Sequence, residues 1–300
     1  MAQHLKISRP ASQLSLFLIL FGISYLLFGV IQVLILKSNG ISIENGLNFA
    51  DPSIVKVLKW TQALSSIVVF LVPAGVFSYL TVSENRLRFL GFVHPEKNVM
   101  YPLSAVTLIF ALPMVFWLGA LNQQLPLPSW VTDLEAAAEK QMEAFLTLKT
   151  PLDIFINIFI IALLPAIGEE LCFRGVLQRI IIHMTKNPLV GIVIAAFLFS
   201  ALHFQFAGFL PRMMLGIVLG ILYWYSGSLW TSILAHFVNN ALQVIVVSYM
   251  PRFISENPVI PMFPAVVSFL AVLALIYYFR KESTNTYEKV YGSASATSAL

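Results

Sequence analysis

Two adjacent carboxylates and an arginine stand inside one of the most apolar stretches of the chain, Leu163-Leu-Pro-Ala-Ile-Gly-Glu169-Glu170-Leu-Cys-Phe-Arg174. An ionised side chain in hydrocarbon costs several kcal/mol, so such residues are rare there and usually face a bundle interior or a wet cavity. Two further apolar stretches carry a histidine each, His203 and His236, with Phe199 four residues before the first and Asn240 four residues after the second. A carboxylate, two imidazoles and a carboxamide can hydrolyse an amide. The carboxylate accepts a proton from water, one imidazole orients that water, and the remaining donors meet the oxyanion that forms. The same residues offer Glu169, His203 and His236 as a zinc site with water in the fourth place. The H-E-x-x-H pattern of many zinc proteases does not occur in the sequence.

Spacing assigns partners within each stretch. Glu170 and Arg174 are four apart and pair along one helix face, which lowers the cost of burying both. Glu169 lies about 100° further round the helix and lacks that partner. The reading is therefore a structural Glu170–Arg174 pair and a free Glu169 able to act as base, with the reverse assignment as the alternative. Pro165 has no N–H, so the carbonyl of Ile161 loses its helical partner, and Gly168 adds slack beside Glu169. Phe199 shares a face with His203, and His236 shares one with Asn240. At ~1.5 Å per residue, Glu169 and His203 both fall ~21–23 Å from the loop they share, and His236 ~8 Å shallower.

The elements that must position these residues are hydrophobic helices. The chain has 300 residues, 58% hydrophobic and 11% charged, against about 25% charged in a soluble domain. It reads as an all-α, polytopic membrane bundle. By the ~20-residue measure of a bilayer-spanning helix there are about eight segments: 14–36, 57–80, 99–121, 152–182, 189–206, 210–225, 229–249 and 259–279. A division follows: residues 1–151 with three spans and an amphipathic helix, 152–250 as the chemical core, and 251–300 as a last span and a disordered tail. Leu134, Ala138, Met142 and Phe145 define the apolar face of the amphipathic helix. Gly216 and Gly220 form a small-xxx-small pair suited to close helix packing. The run 14–36 is too long for a cleavable signal.

Ten Lys and Arg fall on the side of the termini and seven on the other, which places both termini in the cytoplasm. The net charge of +4 gives no reason to expect nucleic acid. The single cysteine, Cys172, excludes an internal disulfide and reads as a packing residue.

The three patterns Glu169-Glu170-x-x-x-Arg174, Phe199-x-x-x-His203 and His236-x-x-x-Asn240 resemble, in order, the motifs of the CPBP family of CAAX prenyl endopeptidases and bacteriocin-processing or self-immunity proteins. The flanks Phe173-Arg174-Gly175 and Ser226-Gly-Ser-Leu-Trp agree, and the resemblance covers roughly residues 152–247. It implies an intramembrane endopeptidase in a bacterial cell membrane, acting on a membrane-associated or C-terminally processed peptide that can be lipid-modified. It implies Glu169 with His203 as the water-activating pair, His236 and Asn240 as the oxyanion pair, and Glu170 and Arg174 as support, with zinc or no metal. Two other classes compete. One is a non-catalytic scaffold or immunity protein, in which Glu169→Gln is silent. The other is a proton-coupled transporter, which should show inverted repeats.

Overall fold

The computed structural model describes residues 9–42, 47–146, 150–254 and 258–292; His4, Lys6 and Lys149 lie outside them. The described residues form an all-helical bundle without strands. Its main elements are α1 (Pro10–Ser38), α2 (Pro52–Thr81), α3 (Met100–Asn122), α4 (Ser129–Leu146), α5 (Pro151–Thr185), α6 (Pro188–Ala201), α7 (Phe209–Ser226), α8 (Leu229–Tyr249) and α9 (Met262–Lys281). α4 lies off the spans. Leu26, Phe155, Phe263 and Tyr277 are among the large apolar side chains left exposed, as expected of a bundle solvated by lipid.

Among the described residues, seven helices are long and apolar enough to cross a membrane, one fewer than the segments counted along the sequence. The exception is α6, which has 14 residues and spans only ~21 Å. It starts where Asn187 Oδ1 accepts hydrogen bonds from the backbone N–H groups of Leu189 and Val190. It ends at Ala201, and Phe204, at φ +53°, turns the chain back toward α7. Non-helical backbone at membrane depth needs partners from the protein itself. Here α3 and α4 supply them. Asn122 Nδ2 donates to the Phe206 carbonyl, Asn122 Oδ1 accepts from Leu210 N–H, and Glu135 Oε1 accepts from Ala207 N–H. Ser200 Oγ donates to the Phe209 carbonyl at 2.7 Å.

α5 is the axis of the molecule. Its α-helical winding widens to π over Ile158–Leu163 and again over Leu171–Gln178, leaving Leu164–Glu170 as one α segment between them. The missing N–H of Pro165 is a cause of the first widening, and π turns recur at functional sites. Gly168 provides closeness as well as slack: a Cβ there would lie 3.0 Å from the Ser66 carbonyl of α2 and 3.1 Å from Phe70 Cβ.

The small-residue stripe of α7 packs as expected. A Cβ on Gly216 would sit 3.0 Å from Ala196 Cβ of α6. The closeness also exposes the stripe's carbonyls to α5, where Arg174 Nη2 donates to Gly216 O and Gln178 Nε2 donates to Gly220 O.

Three expectations change. On α4, Leu134 is exposed, because the inward face runs Val131, Glu135, Ala138, Met142 and Phe145. Lys59 and Arg212, two of the seven basic residues assigned to the side opposite the termini, sit within helices, and Lys59 is buried over the Phe145 ring. The described part of the tail after Lys281, residues 282–292, is docked on the bundle and ends in a helical turn, Glu288–Gly292. Tyr291 donates from its hydroxyl to the Arg179 carbonyl, and Asn285 Nδ2 donates to the Trp224 carbonyl. The Ser, Thr and Ala composition concealed two tyrosines and an asparagine able to dock. Pro10, His183, Tyr287 and Tyr291 line one cleft, so both ends of the described chain lie on one side of the bundle.

Candidate active site

Glu169 and Glu170 point to different partners. Glu170 is fully buried. Its Oε1 accepts from Arg174 Nη1 at 2.7 Å and from His236 Nδ1 at 2.9 Å. Arg174 is equally buried. Its second nitrogen is used by Gly216 O, and its guanidinium lies over the Phe199 ring at 4.7 Å. Arg174 is thus buried and engaged by a carboxylate, a carbonyl and a ring, and this pair is structural in form. Glu169 Oε2 instead stands 3.9 Å from His203 Nε2 and 3.8 Å from His236 Nε2. Those separations exceed a direct hydrogen bond and match atoms bridged by one water.

Each imidazole is fixed by what holds its other nitrogen. His203 Nδ1 lies 2.7 Å from the Phe199 carbonyl. A carbonyl only accepts, so Nδ1 carries the proton, and a neutral His203 turns an Nε2 lone pair toward Glu169. His236 Nδ1 faces the Glu170 carboxylate and also carries a proton. Its Nε2 donates only when the ring bears both protons, and the carboxylates on either side are the counter-charges such a ring requires.

Phe199 locks the group together. Its ring contacts Phe173 at 5.1 Å, His203 at 4.9 Å and His236 at 6.0 Å between centroids, each edge to face. The ~8 Å depth mismatch expected for His236 is absent, because the turn after α6 and the start of α8 bring both rings to Glu169.

Asn240 follows His236 by one turn on α8. Its Oδ1 accepts from Asn239 Nδ2 at 3.1 Å, which leaves its own Nδ2 as a donor without an acceptor among the described residues. Asn239 is buried.

Two imidazoles and a carboxylate are the right donor types for catalytic zinc. With bonds of about 2.1 Å the ligand atoms would stand about 3.4 Å apart, closer than the 3.8 and 3.9 Å found here. Among the described residues no three His, Cys, Asp or Glu side chains are grouped as ligands of one ion. As arranged, the set is wider than a zinc shell.

Sequence reasoning missed the residues that build the His203 turn: Asn122, Glu135, Ser200, Gln205 and Arg212. Arg212 carries the same signal that marked Glu169, a charge inside an apolar run. The uncharged residues carry none, since their partners are backbone atoms brought close only by folding.

Residues 151–242 match the model of a family described as Type II CAAX prenyl endopeptidase Rce1-like. That interval contains Glu169, Glu170, Arg174, Phe199, His203, His236 and Asn240. A relative described as "Uncharacterized protein YpbD", from Bacillus subtilis (strain 168), is 33% identical over 90 residues, which covers 29% of this chain and 43% of the relative. The match thus spans less than half of either protein. No solved structure matches the chain significantly.

Proposed function

We propose that this chain, whose central segment belongs to the CPBP family of CAAX-type endopeptidases, is an intramembrane endopeptidase that uses Glu169 to activate water. The observation that carries this reading is the convergence of His203 Nε2 and His236 Nε2 on one oxygen of Glu169. A water held among the three atoms donates one proton to Glu169 and one to His203 Nε2. As the water oxygen bonds to the scissile carbonyl carbon, Glu169 takes its proton. Negative charge moves to the carbonyl oxygen, where His236 Nε2–H and Asn240 Nδ2 donate. Glu169 then passes the proton to the leaving nitrogen, the C–N bond breaks, and the products are a carboxylic acid and an amine.

The bundle and its apolar helices mark an integral membrane protein. The family points to a peptide substrate held at or in the membrane, processed near its C-terminus and able to carry a lipid. In this reading the chain sits in a bacterial cell membrane with both termini cytoplasmic. A silent scaffold or an immunity protein leaves the shared focus of both histidines on Glu169 without a use; a proton-coupled transporter would use it as a relay, but the sequence lacks the internal repeat such proteins often carry.

The test is cleavage of a fluorogenic peptide library by the purified full chain in detergent, for wild type and Glu169→Gln, each with and without a strong zinc chelator. Cleavage lost only in Glu169→Gln supports the reading. Cleavage that the chelator also abolishes makes Glu169, His203 and His236 zinc ligands. Equal cleavage by both proteins overturns the role of Glu169.

A further inference from the structure

Glu169 and His236 ride within the long helices α5 and α8, and His203 does not. α6 ends at Ala201, and His203 lies beyond it, in the turn before Phe204, where φ is +53°. Its ring is tied to the Phe199 carbonyl through Nδ1 at 2.7 Å. Its backbone rests on two turn bonds, from His203 N–H to Ser200 O at 3.3 Å and from Phe204 N–H to Ala201 O at 3.1 Å.

The segment after the turn decides where that ring points. α7 starts at Phe209 behind Gly208, which has no side chain to cap it. The cap comes from another helix. Asn122, the last residue of α3, accepts from Leu210 N–H through Oδ1 at 2.7 Å. Leu210 is the second residue of α7, and its N–H is one that an N-cap side chain ordinarily takes. Asn122 Nδ2 donates to the Phe206 carbonyl at 2.7 Å, at the start of the 206–208 turn. One carboxamide thus fastens the chain on both sides of that turn, and it is itself only 1% exposed. Asparagine suits the place because it supplies a donor and an acceptor together. Without it the Phe206 carbonyl and the Leu210 N–H lose their partners inside an apolar bundle. Buried backbone groups left unpaired are costly, so the segment must shift to satisfy them, and His203 shifts with it.

We propose that Asn122 is a positioning residue of the hydrolytic site. It holds the turn after α6 so that His203 Nε2 stays 3.9 Å from Glu169 Oε2, across one water. This rests on the endopeptidase reading above and deepens it. Asn122 lies outside residues 151–242, the segment that matches the family. The working site therefore extends into α3, although no water-activating side chain comes from that helix.

The test follows the His203 ring as well as the rate. The full chain in detergent is labelled with 15N-histidine, and the His203 signals are assigned by their loss in His203→Ala. Wild type should show two well-separated ring 15N signals, the mark of a neutral ring with its proton fixed on Nδ1. Asn122→Leu has no polar side-chain atom, and the two signals should draw together as the ring exchanges tautomers. Its kcat on the best-cleaved fluorogenic peptide should fall about a hundredfold, as a displacement of about 1 Å can cause, with KM held within about twofold. Asn122→Asp keeps the acceptor for Leu210 N–H and loses the donor to Phe206 O, so its rate and ring signals should lie between those of wild type and Asn122→Leu. The control is Ser268→Ala. Ser268 Oγ donates to the Phe110 carbonyl and accepts from Met114 N–H, so its removal loosens α3 elsewhere. It should lower the unfolding temperature and leave kcat and the His203 signals as in wild type. Every spectrum and rate is taken below the unfolding temperature of the variant.

If Asn122→Leu does not fold, Asn122→Asp decides alone. Unchanged ring signals and kcat in the folded Asn122 variant overturn the proposal. A loss of rate with unchanged ring signals, or one that Ser268→Ala shares, also overturns it, because either marks stability alone, and both leave the endopeptidase standing. No cleavage by wild type, with ring signals that move in the Asn122 variant and not in Ser268→Ala, keeps the positioning of His203 and overturns the endopeptidase reading. Neither cleavage nor movement of the signals overturns both.

Discussion

Glu169 and Glu170 carry the same side chain on consecutive residues, and the bundle gives them opposite work. The two glutamine substitutions should therefore fail differently. Glu169→Gln keeps size and shape at a group that contacts the imidazoles only across a gap, so hydrolysis should fall to background while thermal unfolding in detergent barely moves. Glu170→Gln leaves Arg174 buried with its charge uncompensated and removes the partner of His236 Nδ1. Removing one member of a buried pair costs about 3–5 kcal/mol, so this variant should unfold at clearly lower temperature as well as lose activity. Unfolding curves of the two variants, measured side by side with hydrolysis, check the assignment. Equal destabilisation by both would reverse it.

Elements decide whether those residues meet at all. Gly216 shows how. Its missing Cβ lets α7 close on Ala196 of α6, and the same closeness brings its carbonyl to Arg174. Gly216→Ala puts a methyl 3.0 Å from Ala196 Cβ and 3.2 Å from its backbone Cα, which cannot swing aside. The helices must separate by a few tenths of an ångström, at about 1–3 kcal/mol, and Arg174 loses reach to the carbonyl. The expected outcome is a lower unfolding temperature together with reduced hydrolysis. Gly22, where an added Cβ would meet nothing within 4 Å, is the control: its alanine variant should match wild type in both assays. This scale also separates what the sequence discloses from what it hides. The Glu170–Arg174 pair, the break at Pro165 and the stripe at Gly216 follow from spacing along one helix. The length of α6 does not, because Leu202, Phe204 and Phe206 carry the apolar run past its end. What ends α6 is the reversal at Phe204 and the Asn122, Glu135 and Ser200 side chains that satisfy its backbone, two of which come from other helices. The depth of His236 was misjudged for the same reason: counting from a loop assumes straight, full-length helices.

At the scale of the whole molecule, the segment after α9 is a strap across the side that holds both ends of the described chain. Glu96 accepts from Thr284 N–H and Oγ1 and from Lys289 Nζ, and Lys97 pairs with Glu282. These partners are largely exposed, and exposed ion pairs contribute about 0.2–1 kcal/mol. Tyr291 is buried, with its ring stacked on His183 at 5.1 Å, and full burial of an aromatic side chain is worth about 1.5–3 kcal/mol. The magnitudes rank the two ends of the strap: Tyr291→Ala should loosen it more than Glu96→Gln. The charged end adds a pH dependence. Part-burial pushes the Glu96 carboxyl up, but hydrogen bonds from Thr284 and Lys289 and the charge of Lys289 outweigh it and hold the group below its ordinary range. A lowered carboxyl stabilises the folded state fully above the ordinary glutamate pKa and loses that contribution as pH falls through the lowered value. Hydrogen exchange across residues 282–292 should therefore be slow and pH-independent in protection near neutrality and gain openings only in acid. In Glu96→Gln that acid step should disappear, while Tyr291→Ala should show raised exchange at every pH. A strap that opens to the same extent in Glu96→Gln and Tyr291→Ala would mean that the polar contacts, and not the buried ring, hold it down.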